Sequence, residues 1–315
     1  MKLNRLNDVF FKYLLGDMKR KTLTLSFINS ILNRTEDNLF TDLDFLDKEL
    51  TPIAQEGKVS VLDIRARMND GTQVNIEVQV CKDPDMAKRS LYYWSRMYSG
   101  GLHQGDTYNK LMQAISINLM DFNAFPNYTT CHHSYHICHD ETHDRLLDDL
   151  EMHFIELEKI RIGDIRKLKK SEQWIAYFSN QCSDEEREVL AMSEPAIKEA
   201  MRSEMYFTQD EKLRRKYEIQ EKARRDYISM MENIRIAQEE MRTAQEEMRT
   251  AQKEMRTAQE EARLAQEKAR AVQENARIER EETVLGFLRE GLSYDMISRA
   301  MKIPVEQIEE IAKKQ

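Results

Sequence analysis

Asp63, Glu77 and Gln79 are the residues whose types and spacing point most clearly to chemistry. They lie in VLDIRARMNDGTQVNIEVQV, residues 61–80, where apolar and polar residues alternate on both sides of Asn69-Asp70-Gly71. Alternation of that period predicts two strands, each with one apolar and one polar face. A two-residue loop at Asp70-Gly71 would set Glu77 across from Ile64 and mix the faces. A three-residue loop, with Asn69-Asp70 as a type I turn and Gly71 in the left-handed position, pairs Met68 with Thr72 instead. That register stacks Ile64 with Ile76, Leu62 with Val78 and Ala66 with Val74. On the opposite face it pairs Asp63 with Glu77, Arg65 with Asn75 and Arg67 with Gln73. Of the two registers, only this one leaves a consistently apolar side.

Residues directly opposite in such a pair have Cβ atoms about 4.5–5.5 Å apart, so two carboxylates there repel. A hard divalent cation relieves the repulsion, because Mg²⁺ is held through one or two carboxylates together with water and phosphate oxygens. An ion so placed can acidify a water for attack on a phosphodiester. An acid pair on a solvated polar face has the same spacing, so the hairpin alone leaves both readings open. Gln79, one pleat along the same face, can hold a water but carries no charge.

Two further clusters invite a function. Lys88, Arg89, Tyr92, Tyr93 and Arg96 fall in a helix expected at about 85–99, where Arg89, Tyr93 and Arg96 share a face by i,i+4 and i,i+3 spacing. They suit phosphate contacts and base stacking; equally, the aromatic rings suit packing of that helix on a sheet. CHHSYHICHDETH, residues 131–143, concentrates cysteine and histidine and suggests zinc. As a strand, however, it would divide Cys131, His133, Tyr135 and His139 from His132, Ser134, His136 and Cys138. Its spacing matches no usual structural zinc motif, which leaves a partly exposed polar strand as the competing reading.

These candidates need a scaffold. Helical patterns occur near 8–15 and 20–33, period-two patterns at 59–68 and 73–81, and strand-like runs at 110–122, 134–138 and 150–157. Helices, a short antiparallel set, a helix and then more strands predict an α/β or α+β core with a mixed sheet, ending near residue 160. A helical extension over 161–236 follows, with Ser183 as an N-cap and Glu186 at the capping-box position. No glycine occurs between Gly163 and Gly286 and no proline between Pro195 and Pro304, so everything from about 196 to 283 can be helical.

Within that helix, residues 237–278 form six consecutive heptads, from AQEEMRT to VQENARI. Met241, Met248, Met255, Ala262, Ala269 and Ala276 occupy one seam column; Ala237, Ala244, Ala251, Ala258, Ala265 and Val272 occupy the other. The repeat fits a coiled coil over 237–282 that makes the chain a homo-oligomer. Its alanine-rich seam also fits a solvated single helix acting as a spacer. Residues 283–315 carry the stop, cap and turn signals of a small helix-turn-helix, with Gly291, Ser293 and Lys302-Ile303-Pro304. Glu306, Glu309 and Glu310 make its last helix a poor DNA reader, and an interaction or capping role fits it better.

Four blocks together resemble the Rpn family of recombination-promoting nucleases and putative transposases, within the PD-(D/E)XK nuclease superfamily. They are LNDVFFKYLLG (6–16), SVLDIRARMNDGTQVNIEVQV (60–80), RSLYYWSRMYSGGLHQGDTYNKLMQAISINLMDF (89–122) and LEMHFIELEK (150–159). The resemblance implies a restriction-endonuclease-like core over 1–160 and metal-dependent cleavage of DNA, with Mg²⁺ or Mn²⁺ as cofactor. It matches Asp63 and Glu77 to the two metal-holding acids and Gln79 to the position where the wider superfamily has lysine. Asp8, on the first helix, is a candidate additional acid. The expectation is a DNA endonuclease in which Asp63, Glu77 and Gln79 act in catalysis, with Lys88, Arg89, Tyr93 and Arg96 toward DNA. The alternative is a catalytically silent relative that binds partners through the same fold.

Composition bounds these readings. The net charge of −8 argues against a dedicated high-affinity DNA binder, though not against a local basic surface. No apolar run approaches the roughly 18 residues of a membrane span. The N-terminal MKLNRLNDVFFKYLLGDMKRK lacks an uninterrupted secretory core, which makes the cytoplasm the expected compartment. Cys81, Cys131, Cys138 and Cys182 are then expected as free thiols.

Overall fold

A computed structural model describes residues 3–50 and 60–313. Helix α1 (Asp8–Leu15) starts where the Asn7 side chain accepts hydrogen bonds from the Val9 and Phe10 amides, and it buries Phe10, Phe11, Leu14 and Leu15. Helix α2 (Lys21–Ile31) follows and leads to β1 (Leu43–Phe45). Next, β2 (Glu49–Leu50) and β3 (Ser60–Val61) pair as a short antiparallel ribbon. Val59, the first residue of the strand expected at 59–68, lies outside the described residues.

The hairpin of β4 (Ile64–Met68) and β5 (Gln73–Gln79) has the expected register, pairing Ile64 with Ile76, Arg65 with Asn75, Ala66 with Val74 and Arg67 with Gln73. Its turn is the three-residue form: the Met68 amide donates to the Thr72 carbonyl at 2.8 Å, and Gly71 has a φ of 92°. A side chain at Gly71 would be strained by that angle and would meet the end of Met112. At Asp63 the expected pairing gives way, because the ladder stops at Ile64 and the chain bends. Leu62 does not stack with Val78 on the apolar face. It packs with Met97 and Ala114 on the other side of the sheet, and its amide donates to the Lys48 carbonyl.

Helix α3 (Met86–Ser99) carries the chain from β5 to β6 (Ala114–Met120), which lies parallel to it. A parallel pair needs such a crossover. The sheet is completed by β7 (His132–Tyr135) and β8 (Leu150–Glu156) in the order β1-β4-β5-β6-β8-β7, a mixed six-stranded sheet.

Helices α4 (Lys170–Phe178), α5 (Asp184–Ser193) and α6 (Pro195–Gln209) join the core rather than trailing from it. Trp174, Tyr177, Phe178, Leu190 and Phe207 share one buried cluster with α1, α2 and the β4–β5–β6 face. Ser183 makes the expected capping box with Glu186. The opposite face of the sheet is covered by α3, where Met86 packs with Met120, Phe122, Leu150, Met152 and Phe154. The sheet is thus flanked by helices on both sides.

The helical stretch after residue 195 breaks once, at Asp210. The extended Asp210 caps a new helix by accepting from the Lys212 and Leu213 amides. That helix, α7 (Glu211–Arg289), runs for 79 residues. Its first turns belong to the compact unit that ends at Met230: Tyr217 is buried in the core cluster and its hydroxyl accepts from the Asn4 amide at 2.7 Å. A second unit, from Met231 onward, holds the heptads, with Met241, Met248, Met255 and Val272 exposed along α7. It also holds a small core of Val284, Ile297, Ile303 and Ile308 between the end of α7, α8 (Tyr294–Met301) and α9 (Val305–Lys313). All four cysteines are free. No helix among the described residues is long and apolar enough to cross a membrane.

Candidate active site

The bend at Asp63 brings its carboxylate to the end of β5. Asp63 Oδ2 accepts from the Val78 amide at 3.0 Å, and the Asp63 amide donates to Glu77 Oε1 at 3.1 Å. Each acid is therefore fixed by a backbone N–H at or next to the other: Asp63 by the Val78 amide and Glu77 by the Asp63 amide. Asp63 Oδ1 and Glu77 Oε2 are the remaining oxygens of the pair.

Burial dominates the electrostatics here. Glu77 is only 6% exposed; burial, followed by the nearby charge of Asp63, pushes its carboxyl up to about 8. Burial also raises Asp63, against the opposing pull of the Val78 amide and Lys12. Burial is the first cause for both acids, and the oxygens they offer are hard donors suited to Mg²⁺ or Mn²⁺. Among the described residues, no group of three or more His, Cys, Asp or Glu side chains gathers as a metal cluster. Two carboxylates are a number that Mg²⁺ accepts when water and phosphate oxygens supply the rest.

Other groups approach the pair from both layers. From α1, the Lys12 ammonium lies 3.1 Å from Asp63 Oδ1 and also pairs with Asp8. Burial pulls Lys12 down, but Asp8 and Asp63 outweigh it and hold the ammonium above its ordinary range. Burial, reinforced by the Lys12 charge, lowers the half-buried Lys48. From α3, Arg89 is anchored to Asp83 at 2.8 Å and its charge acts on Glu77. The Tyr93 hydroxyl is raised by burial and then by the charge of Glu77. Gln79 ends β5 on the same side of the strand as Glu77 by alternation, and its carbonyl accepts from the Asp121 amide.

The start of α7 closes one side of a cleft beside Asp63, lined by Asp8, Asp63, Val78, Gln220 and Arg224 among others but not by Glu77. Gln220 accepts from the Val9 amide and donates to Asp8 Oδ2 at 3.3 Å. A larger groove lined by Arg5, Arg187, Lys198 and Arg202 contains neither Asp63 nor Glu77.

The structure thus brings Asp63, Glu77, Gln79, Arg89 and Tyr93 to one end of the β5 strand. Lys88 stands in solvent beside Asp85, whereas Arg96 is buried and does not present its guanidinium as a surface contact. Lys12, Lys48 and Gln220 are the site neighbours that strand alternation could not disclose. The i,i+4 spacing of Asp8 and Lys12 was the one visible signal, and it looks like an ordinary helix ion pair.

The strand in the histidine-rich segment is only β7, which ends at Tyr135, and there His132 and His133 point to opposite faces. His132 bonds His153, which bonds Glu151, on one face of β8. On the other face His133 bonds Glu156, which is fully buried and also takes Lys159 and the Ala124 and Phe125 amides. Burial and the two neighbouring histidines lower His132 to about 4.

No curated protein and no solved structure matches the chain. A family model for the PD-(D/E)XK nuclease family transposases matches residues 5–234, taking in the sheet, the acid pair and the first turns of α7. The mixed sheet with flanking helices and the acids at the end of its hairpin agree with that match, and the chain belongs to the PD-(D/E)XK nuclease family transposases.

Proposed function

We propose that the protein is a divalent-metal-dependent DNA endonuclease. The observation that carries this reading is the acid pair, half-buried Asp63 and buried Glu77, locked by reciprocal backbone hydrogen bonds. Asp63 and Glu77 would hold Mg²⁺ or Mn²⁺. When bound, such an ion acidifies a water and neutralises charge on the phosphate. Gln79 orients the attacking water by hydrogen bonding. Arg89, anchored on Asp83 beside Glu77, engages a backbone phosphate, with Lys88 outside it in solvent. The exposed methionines of the heptads join copies of the chain, bringing two or more catalytic units together for recombination-associated cleavage.

The test is incubation of full-length protein with supercoiled plasmid and Mg²⁺ or Mn²⁺, beside Asp63→Ala and Glu77→Ala. Nicking or linearisation by the wild type, lost in both variants, is expected. Equal activity in all three preparations removes the site assignment. The uncharged Gln79 favours a second reading, a catalytically silent binding module. That reading predicts neither cleavage nor calorimetric binding of Mn²⁺ by the full chain.

A further inference from the structure

Hydrolysis of a phosphodiester loads negative charge onto the phosphoryl oxygens and the departing oxygen, and a fixed cation aimed there lowers the barrier. Gln79 supplies none. Among the described cations around the acid pair, Arg89 is ion-paired with Asp83 and assigned above to a backbone phosphate, Arg224 is ion-paired with Glu221, and no ion pair ties Lys48 to either acid. Lys12 is in contact, 3.1 Å from Asp63 Oδ1, with its side chain 28% exposed.

Its position is built from three directions. Asn7 caps α1, while Phe10, Phe11, Leu14 and Leu15 anchor the helix in the core and leave Lys12 on the face that carries Asp8. Gln220 from α7 holds Asp8, and the Val78 amide holds Asp63, so both carboxylates that grip Lys12 are themselves fixed. A long, rotatable side chain held at its tip by two oriented acids is pre-positioned for a phosphate yet able to move to it.

We propose that Lys12 supplies the positive charge to the scissile phosphate that Gln79 cannot supply, and that in the DNA-free protein it neutralises Asp63. The proposal rests on the metal-dependent nuclease reading. It has a consequence independent of activity: Lys12 pairs with a carboxylate that would hold the cation, so removing its charge should strengthen metal binding.

The experiment compares wild type, Lys12→Met, Lys12→Arg, Gln79→Lys and Lys12→Met/Gln79→Lys as full chains, by Mn²⁺ calorimetry and by plasmid cleavage. Lys12→Met is expected to bind Mn²⁺ several-fold more tightly while losing about 100-fold or more in cleavage, the usual scale for removing one charge-stabilising group. Lys12→Arg should retain part of the activity, and Gln79→Lys should restore Lys12→Met at least tenfold. Cleavage by Lys12→Met within threefold of wild type overturns the proposal. So does lost cleavage with weakened Mn²⁺ binding, which makes Lys12 a mere support for Asp63, or lost cleavage that Gln79→Lys does not restore. If wild type is inactive and Gln79→Lys cleaves, Lys12 is refuted while the metal site stands. No cleavage by either chain removes the nuclease reading itself, and the role of Lys12 with it.

Discussion

Replacing Glu77 by glutamine should stabilise the metal-free protein, and by an amount that depends on pH. In the fold the Glu77 carboxyl titrates at about 8, against an ordinary 4.5. Between those values the native state keeps a proton that the unfolded chain has released, so stability falls as pH rises from 4.5 to about 8 and is level above it. At about 1.4 kcal/mol for each pH unit, the full difference is about 5 kcal/mol; relaxation of the cleft around a charged Glu77 reduces it to a few kcal/mol. Glutamine keeps the acceptor for the Asp63 amide and carries no charge to bury. Thermal unfolding of wild type and Glu77→Gln in chelator should show coincident curves near pH 4.5 and a variant melting about 5–10 °C higher at pH 9. Mn²⁺ should close the gap at pH 9 by stabilising the wild type alone. A gap that does not change with pH, or a variant less stable at pH 9, would refute the burial argument.

Glu156→Ala should cost about 3–5 kcal/mol in urea unfolding, because it strands a largely buried Lys159 and two amide N–H groups. Burial alone would raise Glu156, yet Lys159, the amides and His133 hold it below 4.5, so that stabilisation is lost as pH falls through the lowered value. At the heptads, each methionine buried in a seam contributes about 1–2 kcal/mol. Light scattering should therefore give a multiple of 37.3 kDa for the full chain and a lower mass for Met248→Lys/Met255→Lys. Equal masses would assign the heptads to a solvated spacer.

Much of the scaffold was legible in residue order because its determinants are local. The Asn69-Asp70-Gly71 turn and the alternation beside it define the β4–β5 register, Asn7 and Ser183 start their helices where expected, and strand-like runs mark β6 and β8. The same local logic failed where distant chain segments compete. Alternation sends Leu62 to the apolar face beside Val78, but Met97 and Ala114 offer it a closed pocket on the other side. Helical spacing puts Arg96 on a face with Arg89, yet α3 lies close enough to the sheet to bury it. The strand pattern ends near residue 160, whereas Trp174, Phe178, Phe207 and Tyr217 fill the same core as Phe10 and Phe27.

The acid pair shows the division most clearly. Residue types and spacing alone determined that Asp63 and Glu77 would come together, because a turn and two strands are short-range structures whose side-chain directions follow from backbone period. Only the tertiary structure decided how they meet: a bend at Asp63, two backbone amides as clamps, and burial deep enough to raise both acids. It also brought Lys12 from α1 to Asp63 and Gln220 from α7 to Asp8. Contacts between residues so far apart in sequence arise from packing of whole elements, and no local period encodes them.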